Sequence, residues 1–194
     1  MEYMNFIQIF LYSFIVIAFV EEFCKWVCLY RLAYNHSEFD SFFDMIVYAS
    51  FVALGFACFE NFLYVFSSGI LTGLIRAITA VPGHICDGIL MGSYLALAKN
   101  SYIKGDYKLS IKYKRLSLII PVITHGIYDF CLFLNNPIFI IIFSIYVIAL
   151  FIICARKVQE ISKNNFKFNI NKYCTECGNL LDNNFCSVCN KNNN

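Results

Sequence analysis

Five apolar stretches, each long enough to cross a bilayer, dominate this chain of 194 residues and leave it few folds to choose from. They run at about 5–30, 43–66, 70–98, 116–134 and 138–155. A helix needs roughly 20 apolar residues to cross a hydrocarbon core of about 30 Å. Composition agrees, since 59% of the residues are hydrophobic and only 14% charged, whereas ordinary soluble domains carry about 25% charged residues. So short a chain has too little interior to hide that excess. The expected fold is all-α, a polytopic transmembrane bundle of about five spans followed by a small soluble tail. Secreted, nucleic-acid-binding and intrinsically disordered classes are excluded together, and the lipid bilayer is the first expected partner. The first stretch is not a cleaved signal peptide: it has no basic flank, and Glu21, Glu22 and Lys25 sit where a cleavage site would lie. No internal repeat is present.

Basic residues set the expected orientation. Lys99, Lys104, Lys108, Lys112, Lys114 and Arg115 follow the third stretch, and Arg156, Lys157, Lys163, Lys167 and Lys172 follow the fifth. The turns at 67–69 and 135–137 carry no charge. An odd number of spans puts both basic regions on one side, which predicts a plasma-membrane protein with its N-terminus outside and its C-terminus in the cytoplasm. The expected division is a membrane domain at 1–156, a basic linker at 157–172 and a tail domain at 173–191.

The tail contains Cys174-x-x-Cys177 and Cys186-x-x-Cys189, with Gly178 just past the first pair. Paired CxxC knuckles place four thiolates around one tetrahedral zinc ion, so a structural zinc ribbon is expected. The remaining cysteines, Cys24, Cys28, Cys58, Cys86, Cys131 and Cys154, lie in the spans and read as small hydrophobes.

Ionisable residues inside the spans carry the functional signal. Glu21, Glu22 and Lys25 lie in the first, Glu60 in the second, Arg76, His84 and Asp87 in the third, and His125 and Asp129 in the fourth. Each charge at mid-bilayer costs roughly 2.5–3.5 kcal/mol, so a polar cavity among these four helices must recover most of the penalty. Glu21 and Lys25 are four apart and share a helix face, while Glu22 is three from Lys25. One lysine between two glutamates leaves one charge or one proton in excess, the raw material of acid–base chemistry. His125 and Asp129 are four apart, so the carboxylate can accept the imidazole N–H and fix its tautomer. Pro82-Gly83 precedes His84 and opens the helix there. Glu60, with its neighbour Asn61, and Arg76 lie nearer the outer ends of their spans and are placed to form an ion pair.

These residues alone suit three functions. One is hydrolysis in the membrane, another a small transporter using the set as a proton or ion relay, and the third a scaffold for the zinc ribbon. The transporter lacks duplicated halves.

The order of the motifs resembles the PrsW family of intramembrane proteases, relatives of the type II CAAX prenyl endopeptidases and the abortive-infection proteins. The matching pieces are Glu21-Glu22-Phe23-Cys24-Lys25, Gly55-Phe56-Ala57-Cys58-Phe59-Glu60-Asn61, Pro82-Gly83-His84 and His125-Gly126-Ile127-Tyr128-Asp129. CAAX relatives carry EExxxR, so Lys25, one position earlier than their arginine, favours the PrsW branch. The ribbon lies outside the resemblance. By resemblance, residues 1–156 form a protease domain that cleaves a membrane-anchored protein, such as an anti-sigma factor at its first cut. Glu21 would be the general base for water, and His84 would help hold that water or a metal. His125 and Asp129 would stabilise the oxyanion, Glu22 and Lys25 would orient Glu21, and Glu60 is a further acidic position. Direct activation of water by Glu21 and activation by a metal remain alternatives, with no HExxH motif present.

Overall fold

The structure is a computed structural model that describes residues 4–36, 39–134, 136–164, 167–168, 174 and 185–192. Five helices are long and apolar enough to cross a membrane: α1 Phe6–Tyr34, α2 Phe42–Ser68, α3 Ile70–Ile103, α4 Tyr107–Phe133 and α5 Pro137–Lys163. The expected multi-pass bundle is therefore the observed one. Each start has a local cause. The Asn5 and Ser41 side chains accept N–H bonds from the residues three on, and their own backbone N–H groups donate in return to the Gln8 and Asp44 side chains. Asp106 caps α4, and Asn136 caps α5 with Pro137 just inside.

The expected basic loop after the third span is a turn at 104–106 only, closed by Gly105 at φ +81°. Lys99 lies within α3, and Lys108 to Arg115 form the first turns of α4. Lysine and arginine are good helix formers, so these helices continue past the apolar stretch instead of stopping at its edge. Likewise α5 carries Arg156, Lys157 and Lys163 within the helix.

Two helices are irregular. In α1, Tyr12–Ala18 and Tyr30–Tyr34 are π-helical and flank the regular turns Phe19–Leu29 that hold Glu21, Glu22 and Lys25. In α3 the halves Ile70–Ile78 and Ala80–Ile103 meet at Thr79, with φ −117° and ψ −65°. Pro82 offers no N–H to the Ile78 carbonyl four residues back, and its ring crowds that carbonyl. The opening therefore falls one turn before Pro82 and Gly83, not at them.

Helix α3 is the most enclosed, with half of its apolar window buried, whereas α5 is the most apolar and only 11% buried. Small residues let α3 approach α2 closely. A Cβ on Gly88 would lie 2.8 Å from the Ala49 carbonyl oxygen and 2.8 Å from Ala53 Cβ; one on Gly92 would lie 2.6 Å from the Met45 carbonyl oxygen. This is the packing that substitutes for hydrophobic driving force between helices in lipid. Gly126 of α4 does the same for α1, since its face is filled by the Phe14 ring. Of the six span cysteines, Cys86, Cys131 and Cys154 are buried, while Cys24, Cys28 and Cys58 lie on exposed faces.

At one end of the bundle, the chain beyond α5 returns to the α1–α2 connection. Lys167 bridges to Ser41, the Phe168 N–H donates to the Asp40 carbonyl at 2.6 Å, and the Phe168 ring is buried against Phe39 and Phe42. In the tail, β1 Phe185–Cys186 pairs antiparallel with β2 Lys191–Asn192.

Candidate active site

The ionisable residues of α1 to α4 meet at a cavity of about 290 Å³. Its walls include Tyr12, Glu21, Glu60, Arg76, His84, Asp87, His125 and Asp129. These residues come from the N-terminal half and middle of α1, the C-terminal half of α2, both sides of the α3 bend and the C-terminal half of α4. The cavity thus lies toward the end of the bundle opposite the Phe39–Phe168 contact.

The two adjacent glutamates separate by face. Glu22 is fully buried and its Oε1 receives the Lys25 ammonium at 2.6 Å and His125 Nδ1 at 2.8 Å. Glu21 lines the cavity instead; its Oε2 lies 3.9 Å from both Lys25 Nζ and His125 Nε2 and accepts no hydrogen bond from the described residues. Lys25 therefore binds the residue three back more closely than the one four back. It also donates to His84 Nδ1 at 2.9 Å, and the other ring nitrogen, Nε2, lies 2.9 Å from Glu60 Oε2. Arg76 Nη2 reaches the same Glu60 oxygen at 2.8 Å, so the expected Glu60–Arg76 pair is present. Asn61 donates to the Gly73 carbonyl at 3.1 Å, tying α2 to the segment Ile70–Ile78 of α3 without entering the cavity.

His125 and Asp129 do face each other, at 3.4 Å through Nε2. The nearer carboxylate on this ring is Glu22, however, a contact across 103 residues that helical spacing cannot reveal. Asp87, counted among the ionisable span residues but given no role by the motifs, is buried on the cavity wall and accepts from Thr124 Oγ1 at 2.5 Å. The available signal was its position three residues after His84, on the same helix face. Nothing in the sequence pointed to Thr124 or Tyr12.

Comparison with known proteins now places the chain. A family described as "PrsW family intramembrane metalloprotease" matches residues 1–155, the whole bundle but for the last turns of α5. The chain belongs to the PrsW family. Curated relatives named Protease PrsW are 38% identical in Oceanobacillus iheyensis, over 82% of this chain, and 37% identical in Halalkalibacterium halodurans, over 76%. A third, from Bacillus subtilis, is 41% identical over 63% of this chain. The chain spans 72%, 66% and 55% of the lengths of these three relatives. No solved structure matches it. PrsW membership assigns the chain to the peptidases of the membrane, and the ribbon falls beyond the matched residues.

The family description implies a metal, and the donor atoms test it. Among the described residues of the bundle, two groups have their ligand atoms within 4.8 Å of one another: Glu22, His84, Asp87 and His125, and Glu21, Glu60 and His84. The first group already holds a cation, because the Lys25 ammonium lies against both Glu22 and His84 Nδ1. In the second, His84 Nε2 faces Glu60 as a donor while Nδ1 accepts from Lys25. A metal held through His84 does not fit this arrangement.

In the tail, the sulfurs of Cys174, Cys186 and Cys189 lie within 4.8 Å of one another. Cys177, the expected fourth ligand, lies outside the described residues.

Proposed function

We propose that this PrsW protein hydrolyses a peptide bond in a membrane-anchored protein substrate, with Glu21 as the general base. The observation that supports this most is the placement of Glu21: a carboxylate on the cavity wall, with one oxygen free of protein donors, facing His125 and flanked by His84. Glu21 takes a proton from a water in the cavity, and the resulting hydroxide attacks the scissile carbonyl carbon. His84 Nε2–H, now shared with Glu60, orients that water. His125 has an acceptor for a proton on each nitrogen, Glu22 at Nδ1 and Asp129 at Nε2. Its Nε2–H turns to the developing oxyanion. A carboxylate repels an oxyanion, so Asp129 acts through His125 and not directly. The proton held by Glu21 then passes to the leaving amine. Glu22 and Lys25, wholly buried, hold the two histidines in register, and Arg76 steadies Glu60.

The cavity lies toward the end bearing the uncharged turns, which the positive-inside bias places outside the cell. Substrate is therefore cut near the outer face, as befits the first cut of an anti-sigma factor. The ribbon stays in the cytoplasm, where Cys174, Cys177, Cys186 and Cys189 hold a structural zinc ion. Glu21→Gln and His125→Ala are each expected to abolish cleavage of a membrane-tethered reporter while the protein still inserts and folds. Normal cleavage by either variant refutes the assignment.

A further inference from the structure

We infer that Lys25 is a positioning residue that fixes the tautomer of His84, and that its ammonium supplies the positive charge of the buried carboxylate–imidazole cluster in place of a metal ion. The inference follows from counting donors. A lysine ammonium has three N–H donors and no acceptor. One proton goes to Glu22 Oε1 at 2.6 Å and one to His84 Nδ1 at 2.9 Å, while the Phe56 ring face lies 4.6 Å from the nitrogen. The side chain is 1% exposed, so water does not compete for these protons. His84 Nδ1 must therefore accept, and a neutral imidazole that accepts at Nδ1 carries its proton at Nε2. That proton meets Glu60 Oε2 at 2.9 Å, and Arg76 holds the same oxygen from the other side.

The second ring is set the opposite way. His125 Nδ1 lies on Glu22 Oε1, which as a carboxylate can only accept, so His125 carries a proton at Nδ1 beside the one that Asp129 accepts at Nε2. The rings stand edge to face with centroids 5.1 Å apart, so Lys25 and Glu22 together give the site two histidines with defined and different faces. His84 offers the cavity an N–H and no lone pair. It can orient a water or polarise a carbonyl, but it cannot ligate a metal while Lys25 holds Nδ1. The inference rests on the peptidase reading only for its kinetic consequence.

The test is nitrogen NMR on the full-length chain in nanodiscs with ¹⁵N-labelled histidine. The chain has three histidines, His36, His84 and His125, and loss of signals in His84→Gln assigns the one in question. The expected wild-type pattern is a protonated Nε2 and a bare Nδ1 on His84, unchanged when Zn²⁺ or Co²⁺ is added. Lys25→Arg, whose guanidinium also only donates, keeps the pattern, and Lys25→Met loses it. A protonated Nδ1 in the wild type, Co²⁺ broadening of His84, or an unchanged tautomer in folded Lys25→Met overturns the inference. Where Lys25→Met does not fold, the wild-type and Lys25→Arg spectra still decide. With a cleavable reporter, Lys25→Met lowers kcat by about 100-fold with KM little changed, and Lys25→Arg restores part of it. Absence of proteolysis in the wild type with the expected tautomer intact would count against the peptidase reading and not against this one.

Discussion

Replacing Gly88 or Gly92 with alanine should impair the site without touching it. An added Cβ would meet the Ala49 carbonyl oxygen at 2.8 Å from Gly88, or the Met45 carbonyl oxygen at 2.6 Å from Gly92. Ordinary contacts of this kind begin near 3.4 Å, so α2 and α3 must part by about 0.6–0.8 Å. The obstruction is backbone, which no rotamer change can move aside. Overpacking of this kind costs about 1–3 kcal/mol. The same two helices carry the His84–Glu60 bond, now 2.9 Å, and parting them would stretch it to about 3.6 Å, beyond hydrogen-bonding range. Misplacement approaching 1 Å can lower the rate by as much as about 100-fold.

Thermal unfolding in detergent and reporter cleavage, measured on the same preparations, check both numbers. Gly55→Ala on α2 is the control, because a Cβ there meets nothing within 4 Å; it should be neutral or stabilise by up to about 1 kcal/mol. Adding Ala53→Gly to Gly88→Ala removes one of the two close contacts and should restore only part of the loss, since the carbonyl remains. Wild-type stability and cleavage in Gly92→Ala would refute the idea that helix separation sets the site.

Gly126→Ala would drive a Cβ into the Phe14 ring, destabilising the protein by about 1–3 kcal/mol, with partial recovery in Phe14→Leu; melting curves of the single and double variants test this. Glu60→Gln and Arg76→Gln break a pair at 2.8 Å whose side chains are 19% exposed, so each should cost about 1–3 kcal/mol after allowance for partial solvation. A double-mutant cycle should show coupling; additivity within about 0.5 kcal/mol would mean the pair does not act as one. The zinc proposed for the tail should be lost in Cys186→Ser, read by metal analysis against the wild type, while the helical content of the bundle stays unchanged; zinc held equally by both would remove Cys186 from the ligand set.

The membrane bundle was legible because hydrocarbon imposes one rule on every span: backbone groups bond within a helix, and side chains are apolar. The same rule made the site visible, since Glu21, Lys25, His84 and His125 stand out against an apolar background at a price that chance does not maintain. Spacing within one helix, however, reports only which residues share a face. It placed Lys25 within reach of both Glu21 and Glu22, and His125 beside Asp129, and these contacts exist, at 3.9 Å, 2.6 Å and 3.4 Å. Two further close contacts run between helices, from Lys25 to His84 at 2.9 Å and from Glu22 to His125 at 2.8 Å. Those depend on which face of α1 turns inward, and that is decided by the fit of Phe14 against Gly126 and by the winding of Tyr12–Ala18. Neither has a one-dimensional signature. Thus the sequence reveals the chemical inventory of the site, whereas close approach at a few glycines assigns the roles: Glu21 to the cavity, Glu22 to the interior, and Lys25 to the histidine that helical spacing had left without a partner.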